Sequence, residues 1–459
     1  MQFKTKYGSR SDLGDSVLKA TPVARCRPLV RTEALPKHQK EFDVVVIGAG
    51  IIGLMTAEAF LKRNLSVALL ERKQPCSGAT GAGQGYIWMA HRSPNTAAWD
   101  LASCSVSEWK KMTDSDPELR GCVEWQKTGS LLLSTSEEEA EKLQLRQEKL
   151  HQHNVQSRFL SVEEVQQLEP SISRTMHRGA LLTEEDAQIN GRQCAFTLLE
   201  RCKRYASMLH LSLDDPVERV VVQPSTNAET GAETASTQYH ARLATVVASG
   251  VWSGQLMASL TGDTVWGKLL QPRRGHLIEV APPPGMPPIK HGMMEMSYTQ
   301  HYAPGSSTTT SLPQQPHVHH DNNEAVDITF TATTSTSGSL LIGSSREFSG
   351  WSSDTSFDIV AAIMDRAAMF LPNLSGLKTP EGPAVRVGLR PFAVGGAPII
   401  GSVPGIPGLF IAAGHEGSGL CLGPATVQIL TACVFNDGTN ADKIERFSVF
   451  QPKSRIKSA

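Results

Sequence analysis

The sequence predicts an α/β fold built on a parallel sheet. Three observations predict it. Between residues 43 and 71 a buried strand, a glycine-rich turn, a helix and a second buried strand follow one another. Further on, short β-branched runs alternate with helices that carry capping residues, the pattern of sheets covered by helices. Near the C-terminus the apolar run Leu409–Ala413 is closely followed by one more apolar helix.

Order begins at Glu41. Asp43–Ile47 reads as a buried strand, because parallel strands covered on both faces lose the polar alternation. Leu54–Lys62 reads as a helix stopped by Asn64, and Ser66–Leu70 as a second buried strand ending at Glu71. Ser134, Thr135 and Ser136, with Glu137, Glu138 and Glu139 three positions on, form a redundant capping box for a helix over 134–150. Ser161 and Glu164 form another, and Pro170 closes that helix. Asn190 caps a helix running to about Tyr205. Val217–Val222 and Ala241–Ala248 read as strands joined by a polar loop, 223–238. Strands are also predicted at His276–Val280, Ala325–Thr331, Ser339–Gly343 and Leu409–Ala413, and helices at Phe357–Phe370 and Pro424–Phe435.

A chain of 459 residues allows two large domains or three smaller ones. Its 40 % hydrophobic residues and 38 glycines suffice for a large core and exclude wholesale disorder. A formal net charge of −1 gives no electrostatic reason to bind nucleic acid or an anionic membrane. The 8 cysteines include no C-x-x-C pair, so they read as reduced thiols and not as a disulfide framework or zinc site. No transmembrane span is expected. Val44–Ala57 is too short, and Pro391–Gly414 carries four prolines and six glycines, which suit strands and turns.

Residues 1–40 hold nine Lys/Arg against Asp12, Asp15 and Glu33, with no apolar periodicity. A basic, acid-poor leader predicts import into an organelle, a plastid before a mitochondrion; a disordered tail without an address would leave the protein cytoplasmic. Pro304–Asn323 is nearly devoid of apolar residues and reads as a flexible loop. Its His317, His319, His320 and Asp321 lack a rigid element to hold a metal, so no metal site is predicted.

The strongest local signal is Gly48-x-Gly50-x-x-Gly53, set between strand and helix. Gly48 permits the tight turn, Gly50 lets the backbone approach a pyrophosphate, and Gly53 lets the helix pack close to the sheet. The helix N-terminus offers free N–H groups and a positive dipole end to phosphates. Glu71, 18 residues after Gly53, can accept hydrogen bonds from both ribose hydroxyls and would repel a 2′-phosphate. This is a Rossmann-type fingerprint, and by itself it does not choose between NAD and FAD. The small, glycine-rich stretch Cys76–Gly85 that follows suits a backbone packed against a large planar or phosphorylated ligand.

The blocks VVVIGAGIIGL, ALLERKQPCSGATGAGQG, ATVVASGVWSGQL, VGLRPFAVGGAPIIG and LFIAAGHEGSGLCLGPA, in this order over residues 42–436, resemble the glycine oxidase / D-amino-acid oxidase superfamily of FAD flavoenzymes. LLIGSSREFSGW and HGMMEM further resemble a bacterial branch with the flavin subunit of hydrogen cyanide synthase, opine oxidase subunits and hydroxyproline dehydrogenases. The resemblance implies two domains: a discontinuous Rossmann-type FAD-binding domain from 41–90, 180–272 and 382–440, and a substrate domain of mostly antiparallel β-sheet plus helices from 91–179 and 273–381. Residues 1–40 would then be a leader and 441–459 a C-terminal tail.

Carried over by position, the family implies that Gly48, Ala49, Gly50, Ile52 and Gly53 hold the FAD pyrophosphate and Glu71 the adenosine ribose, with Arg72 beside the adenine. Ala79, Thr80, Gly83, Gln84 and Gly85 would approach the ribityl chain and flavin ring, and Val217 the adenine. Ser249, Gly250 and Trp252 would pass under the diphosphate. Gly414, His415, Gly417, Ser418, Gly419 and Leu420 would line the pyrimidine edge of the flavin. Arg390, in the Gly-Leu-Arg-Pro block, would clamp the substrate carboxylate. A guanidinium binds a carboxylate in a two-point fork and so fixes where the Cα–H points. Arg386 reads as structural, and Arg273-Arg274 as lying near the cofactor or on a solvated face.

The implied reaction is oxidation of a small amino or imino acid, hydride passing from Cα to flavin N5 and water hydrolysing the imine. FAD would be held non-covalently, since no cysteine matches a covalent attachment site and Cys421 reads as a small buried residue. The electron acceptor would be O₂, or a quinone or partner protein, and an oligomer is possible. A 2-hydroxy-acid dehydrogenase and a flavin-binding assembly factor with little turnover remain as alternatives. The chain departs from the family pattern at Glu416, near the place of a second arginine in glycine oxidase, and at Gly395-Gly396, where many relatives carry an acid. Tyr298 and Tyr302 are candidates for a substrate clamp.

Overall fold

The computed structural model describes residues 37–222, 230–302, 326–436 and 441–456, the side chains of 300–302 excepted. Most of the basic leader, and Pro304–Asn323 with its histidines, lie outside the described residues.

Strand β1 (His38–Ile47) begins three residues before the expected Glu41. Its first four residues, exposed and polar, carry no apolar signal; their place in the strand is set by pairing with Thr237–Val247, a partner far away in sequence. Helix α1 (Ile51–Leu61) follows directly on Gly50 and is buried almost throughout. Its one buried charge, Glu58, is held by Arg201 at 2.6 Å and Lys62 at 2.9 Å. Asn64 takes φ +60°, a left-handed turn that ends the helix as expected. Strand β2 (Val67–Leu70) then pairs parallel with β1.

The first sheet places β1 between Thr237–Val247 and β2, with Leu209–Ser212 beyond β2 and Leu409–Ala413 beyond Thr237–Val247, all parallel. Ile399–Ser402 closes one edge antiparallel. Thr230–Glu233 is a further strand, between Thr237–Val247 and Arg219–Val222, inside the segment 223–238 expected as a polar loop. Its sequence, Thr-Gly-Ala-Glu, has little β-propensity, and the two neighbouring strands impose the conformation.

The second sheet runs Val385–Ala393, Leu270–Val280, Leu340–Arg346, Asp327–Thr334, Gly292–Glu295, Ser130–Leu133, Ala180–Thr183 and Ser157–Leu160. Every pair is antiparallel except Gly292–Glu295 with Ser130–Leu133. Two segments assigned above to the cofactor domain sit here instead: Ala180–Thr183 and Val385–Ala393. The second zips along Leu270–Val280 over nine paired positions, from Leu270–Ala393 to Ile278–Val385. That long-range pairing overrides sequence proximity to Leu409–Ala413. Helix Phe357–Phe370, predicted with its observed ends, packs on this sheet, where Phe370 stacks on Phe330 at 4.4 Å.

The last long helix starts at Gly419, not at Pro424, and continues to Phe435. Pro424 has no N–H to offer the Leu420 carbonyl, four residues back. The Trp109 indole N–H donates to that carbonyl instead, at 2.9 Å. Ser105 Oγ is inserted one step further on, donating to Cys421 O at 2.7 Å and accepting from Ala425 N–H at 3.2 Å. Both residues come from helix Ala97–Ser115, which the sequence reading missed although Thr96 caps it. The run from Glu416 to Phe435 is apolar and long enough to cross a membrane, but 72 % of its most apolar window is buried inside the protein. The expected C-terminal tail is instead helical over Ala441–Arg446 and Pro452–Ile456, anchored by the buried rings of Phe447 and Phe450.

Asp186 ties the two sheets' connections together: it accepts from Met89 N–H at 2.7 Å, Ala90 N–H at 3.2 Å and Ser130 Oγ at 2.7 Å. Burial pushes its carboxyl up to about 6, against the opposing pull of these hydrogen bonds. The folded state therefore holds this proton more tightly than the unfolded chain does. The associated stability is present below about pH 4 and is lost as pH rises to about 6, a change of about 3 kcal/mol. Asp186→Asn should flatten that part of a stability–pH curve measured by chemical denaturation. An unchanged slope would show the carboxyl to be ionised throughout.

Candidate active site

Four segments leave the carboxyl ends of parallel strands on one side of the first sheet: 48–53, 71–72, 248–252 and 414–419. They border one cavity of about 560 Å³, where ligands enter open parallel sheets.

The phosphate loop forms one wall. Gly48 has φ +107°, and a Cβ there would lie 2.7 Å from the Ala248 carbonyl oxygen. At Gly53 a Cβ would lie 1.8 Å from the Gly48 carbonyl oxygen, so the bare glycine is what lets α1 close on the turn. Gly50 is different. It borders the cavity, and the nearest atom to an added Cβ is Thr80 Oγ1 at 3.4 Å. Ile52 also lines the cavity. Ala49 lies behind the wall and donates its N–H to Glu71 Oε2 at 2.8 Å, while Lys73 N–H donates to Glu71 Oε1 at 3.0 Å. Each carboxylate oxygen keeps a further lone pair for a hydroxyl donor. Arg72 lies 3.6 Å over the Trp252 ring, and Val217, Ser249 and Gly250 line the cavity with them.

Ala79, Thr80, Gly83, Gln84 and Gly85 supply more of the lining. Thr80 Oγ1 accepts the N–H of Ile51 at 3.1 Å and so ties this stretch to the start of α1. The Gln84 side chain is fixed by Leu341 O at 3.1 Å and Thr331 Oγ1 at 2.9 Å. His415, Gly417, Gly419 and Leu420 line the cavity from the last strand–helix junction. Burial pushes the His415 ring down to about 4, so it is neutral at pH 7; its Nε2 pairs with Thr426 Oγ1 at 3.0 Å. Among the predicted residues, Ala49, Gly53, Gly414 and Ser418 stand behind the wall and the others line it.

Arg390 lines the same cavity from the second sheet. Its Nη1 donates to the Ser345 carbonyl at 2.8 Å. Opposite it in the sheet is Arg273, and two residues further along that strand is Gly275, where a Cβ would lie 2.4 Å from the guanidinium carbon. Gly275 thus leaves the space that the Arg390 head group fills. Tyr298 and Glu416 line this region too, while Tyr302 falls among the residues whose side chains are not described. Arg273 is buried between Phe348 and Phe392, at 5.2 and 5.5 Å, and Arg346 lies 3.6 Å over the Tyr298 ring. Arg274 pairs with Glu347 at 2.7 Å, and Arg386 with Glu279, so both are structural. Cys421 is buried as expected.

Gly275, His276, Ser344 and Glu416 are site residues that the sequence reading left out or left without a role, while Tyr298, a clamp candidate, does line the cavity. For Gly275 no local signal exists, because the need for a glycine comes from a side chain on a different strand. Among the described residues, no group of three His, Cys, Asp or Glu is placed to hold a metal ion.

The wall fits a bound dinucleotide. Gly50 leaves open a face that a side chain would fill, and Glu71 presents spare acceptors. Comparison with known proteins agrees. The family description "FAD dependent oxidoreductase" matches residues 43–433. The glycine oxidase of Bacillus licheniformis is 26 % identical over 416 residues, covering 89 % of this chain and 97 % of that protein. Among solved structures, glycine oxidase from Geobacillus kaustophilus superposes with a TM-score of 0.72 at 22 % identity, covering 90 % of this chain and 98 % of the other. L-proline dehydrogenase from P. horikoshii superposes with a TM-score of 0.72 at 17 % identity, covering 92 % and 99 %.

Proposed function

The chain belongs to the FAD dependent oxidoreductase family, and from that premise we propose that it oxidises a small amino or imino acid bearing a free carboxylate. The observation that carries the reading is Arg390, a guanidinium bordering the cavity with one nitrogen committed to Ser345 O. The rest of its planar fork is available to an anion. Ser345 O and the bare backbone of Gly275 hold the fork in one plane, so a bound carboxylate takes one orientation. The apolar wall at Tyr298 and Leu277 keeps water from the charge pair and strengthens it. His415 brings no charge to this end of the cavity, because it is neutral.

FAD, bound non-covalently, supplies the two-electron acceptor for the Cα–H of the substrate. The likeness to glycine oxidases and to a proline dehydrogenase supports amino and imino acids as the class, with either O₂ or a quinone or partner protein as final acceptor. The test is anaerobic bleaching of the purified yellow protein by a panel of amino, imino and 2-hydroxy acids, followed by air. Bleaching by an amino or imino acid is the expected result. Rapid recovery in air marks an oxidase, and slow recovery a dehydrogenase. Bleaching by hydroxy acids alone would overturn the proposal.

We further propose that the basic leader directs import into an organelle, a plastid before a mitochondrion. Fused to a fluorescent reporter, residues 1–40 should carry it into one of the two. A uniformly cytosolic reporter would refute this.

A further inference from the structure

We propose that Glu416 recognises the substrate's amine, and that this carboxylate makes the site selective for amino and imino acids over acids without nitrogen. The inference rests on the function proposed above and deepens it. Three observations support it. Glu416 borders the same cavity as Arg390 and Tyr298, on the turn between the strand Leu409–Ala413 and the helix Gly419–Phe435. One of its oxygens accepts the N–H of Gly417; the other, Oε1, is buried with no hydrogen-bond partner among the described residues, and Arg273 Nη1 is 3.8 Å from it. A buried carboxylate oxygen left this way is an acceptor waiting for a donor.

The third observation is the backbone. Glu416 holds φ +48°, in the left-handed region that disfavours any residue with a Cβ. Glycine would adopt it without strain, and an acid is there instead. Strain of this kind persists where the side chain has work at a site.

The surroundings keep the carboxylate charged. Burial alone would push it up, but the guanidiniums of Arg390, Arg346 and Arg273 together hold it below the ordinary range. An amino acid brings its two charges as a pair: a carboxylate for Arg390 and an ammonium for Glu416. The carboxylate accepts an N–H bond from the amine in either protonation state. An acid lacking the amine would leave Oε1 buried and unpaired, and its own charge would meet the negative Glu416.

The test uses the flavin-loaded full-length protein. The panel member oxidised fastest serves as substrate, and the carboxylic acid of the same carbon skeleton without the amine as competitive inhibitor. For Glu416→Gln, the KM of the amino acid should rise at least tenfold. The inhibition constant of the amine-free acid should stay the same or fall, since a negative charge near Arg390 is gone. Parallel weakening of both ligands would show Glu416 to be only a counter-ion for the arginines, and an unchanged KM would show no contact. Either result overturns the inference. Glu416→Gly is the second variant. It adopts the left-handed backbone without strain, and should still show the split between the two ligands. If the wild-type protein oxidises no amino or imino acid at all, the proposed function fails, and that outcome is separate from these.

Discussion

Arg390→Ala should leave the fold and the bound FAD in place and reduce kcat/KM for the best carboxylate substrate by about 2–5 kcal/mol, on the order of 30-fold to several-thousand-fold. The fold should survive because Arg390 gives the protein one hydrogen bond, from Nη1 to Ser345 O. A single bond of this kind is worth about 1 kcal/mol. The substrate stands to lose far more. An anion entering a cavity walled by Leu277, Tyr298 and Leu389 gives up water, and without the guanidinium nothing replaces it at that point. Arg390→Lys should recover only part of the loss. An ammonium can supply charge, but it cannot reproduce a planar fork laid over Gly275. Substrate analogues with an amide in place of the carboxylate should be affected less than the parent acid. Wild-type efficiency in Arg390→Ala would place the carboxylate elsewhere, and Arg273 would not be the substitute, because it is buried between two phenylalanines away from the lining.

The cofactor wall was legible in the sequence because its logic is local. Gly48, Gly50 and Gly53 act within six residues, through one turn and one helix start, and Glu71 sits at the end of the very next strand. Capping residues at Ser136, Ser161 and Asn190 were legible for the same reason, each satisfying a backbone N–H two or three positions on. What the sequence concealed is set by distant partners. Val385–Ala393 reads as part of the cofactor domain until its pairing with Leu270–Val280 is known. The same pairing creates the demand for glycine at 275. Thr230–Glu233 is a strand only because strands on both sides make it one. Glu416 was visible as a departure from the family pattern, but its left-handed backbone and its three arginine neighbours were not.

Two glycines of one motif should fail in different ways, and the contrast tests the whole reading of the cavity. Gly53→Ala places a methyl group 1.8 Å from the Gly48 carbonyl oxygen, a backbone atom that cannot rotate away. The junction of β1 and α1 must open, and overpacking of this kind costs about 1–3 kcal/mol or more. The melting temperature of the FAD-free protein should therefore fall, and FAD affinity should fall with it, since the helix N-terminus moves away from the phosphates. Gly50→Leu should spare the fold and lose only the cofactor. An added Cβ at that position meets only Thr80 Oγ1 at 3.4 Å, ordinary contact, and Gly50 already holds a φ of −78° that leucine adopts freely. The FAD-free protein should melt close to wild type. The leucyl side chain would project into the cavity, where the backbone must come within contact distance of the pyrophosphate. Purified Gly50→Leu should therefore be colourless, release no FAD on denaturation and show no oxidation of any substrate. A yellow, active Gly50→Leu would mean that the phosphates do not pass over this turn. A Gly53→Ala protein as stable as wild type would mean that α1 is not held against Gly48 in solution.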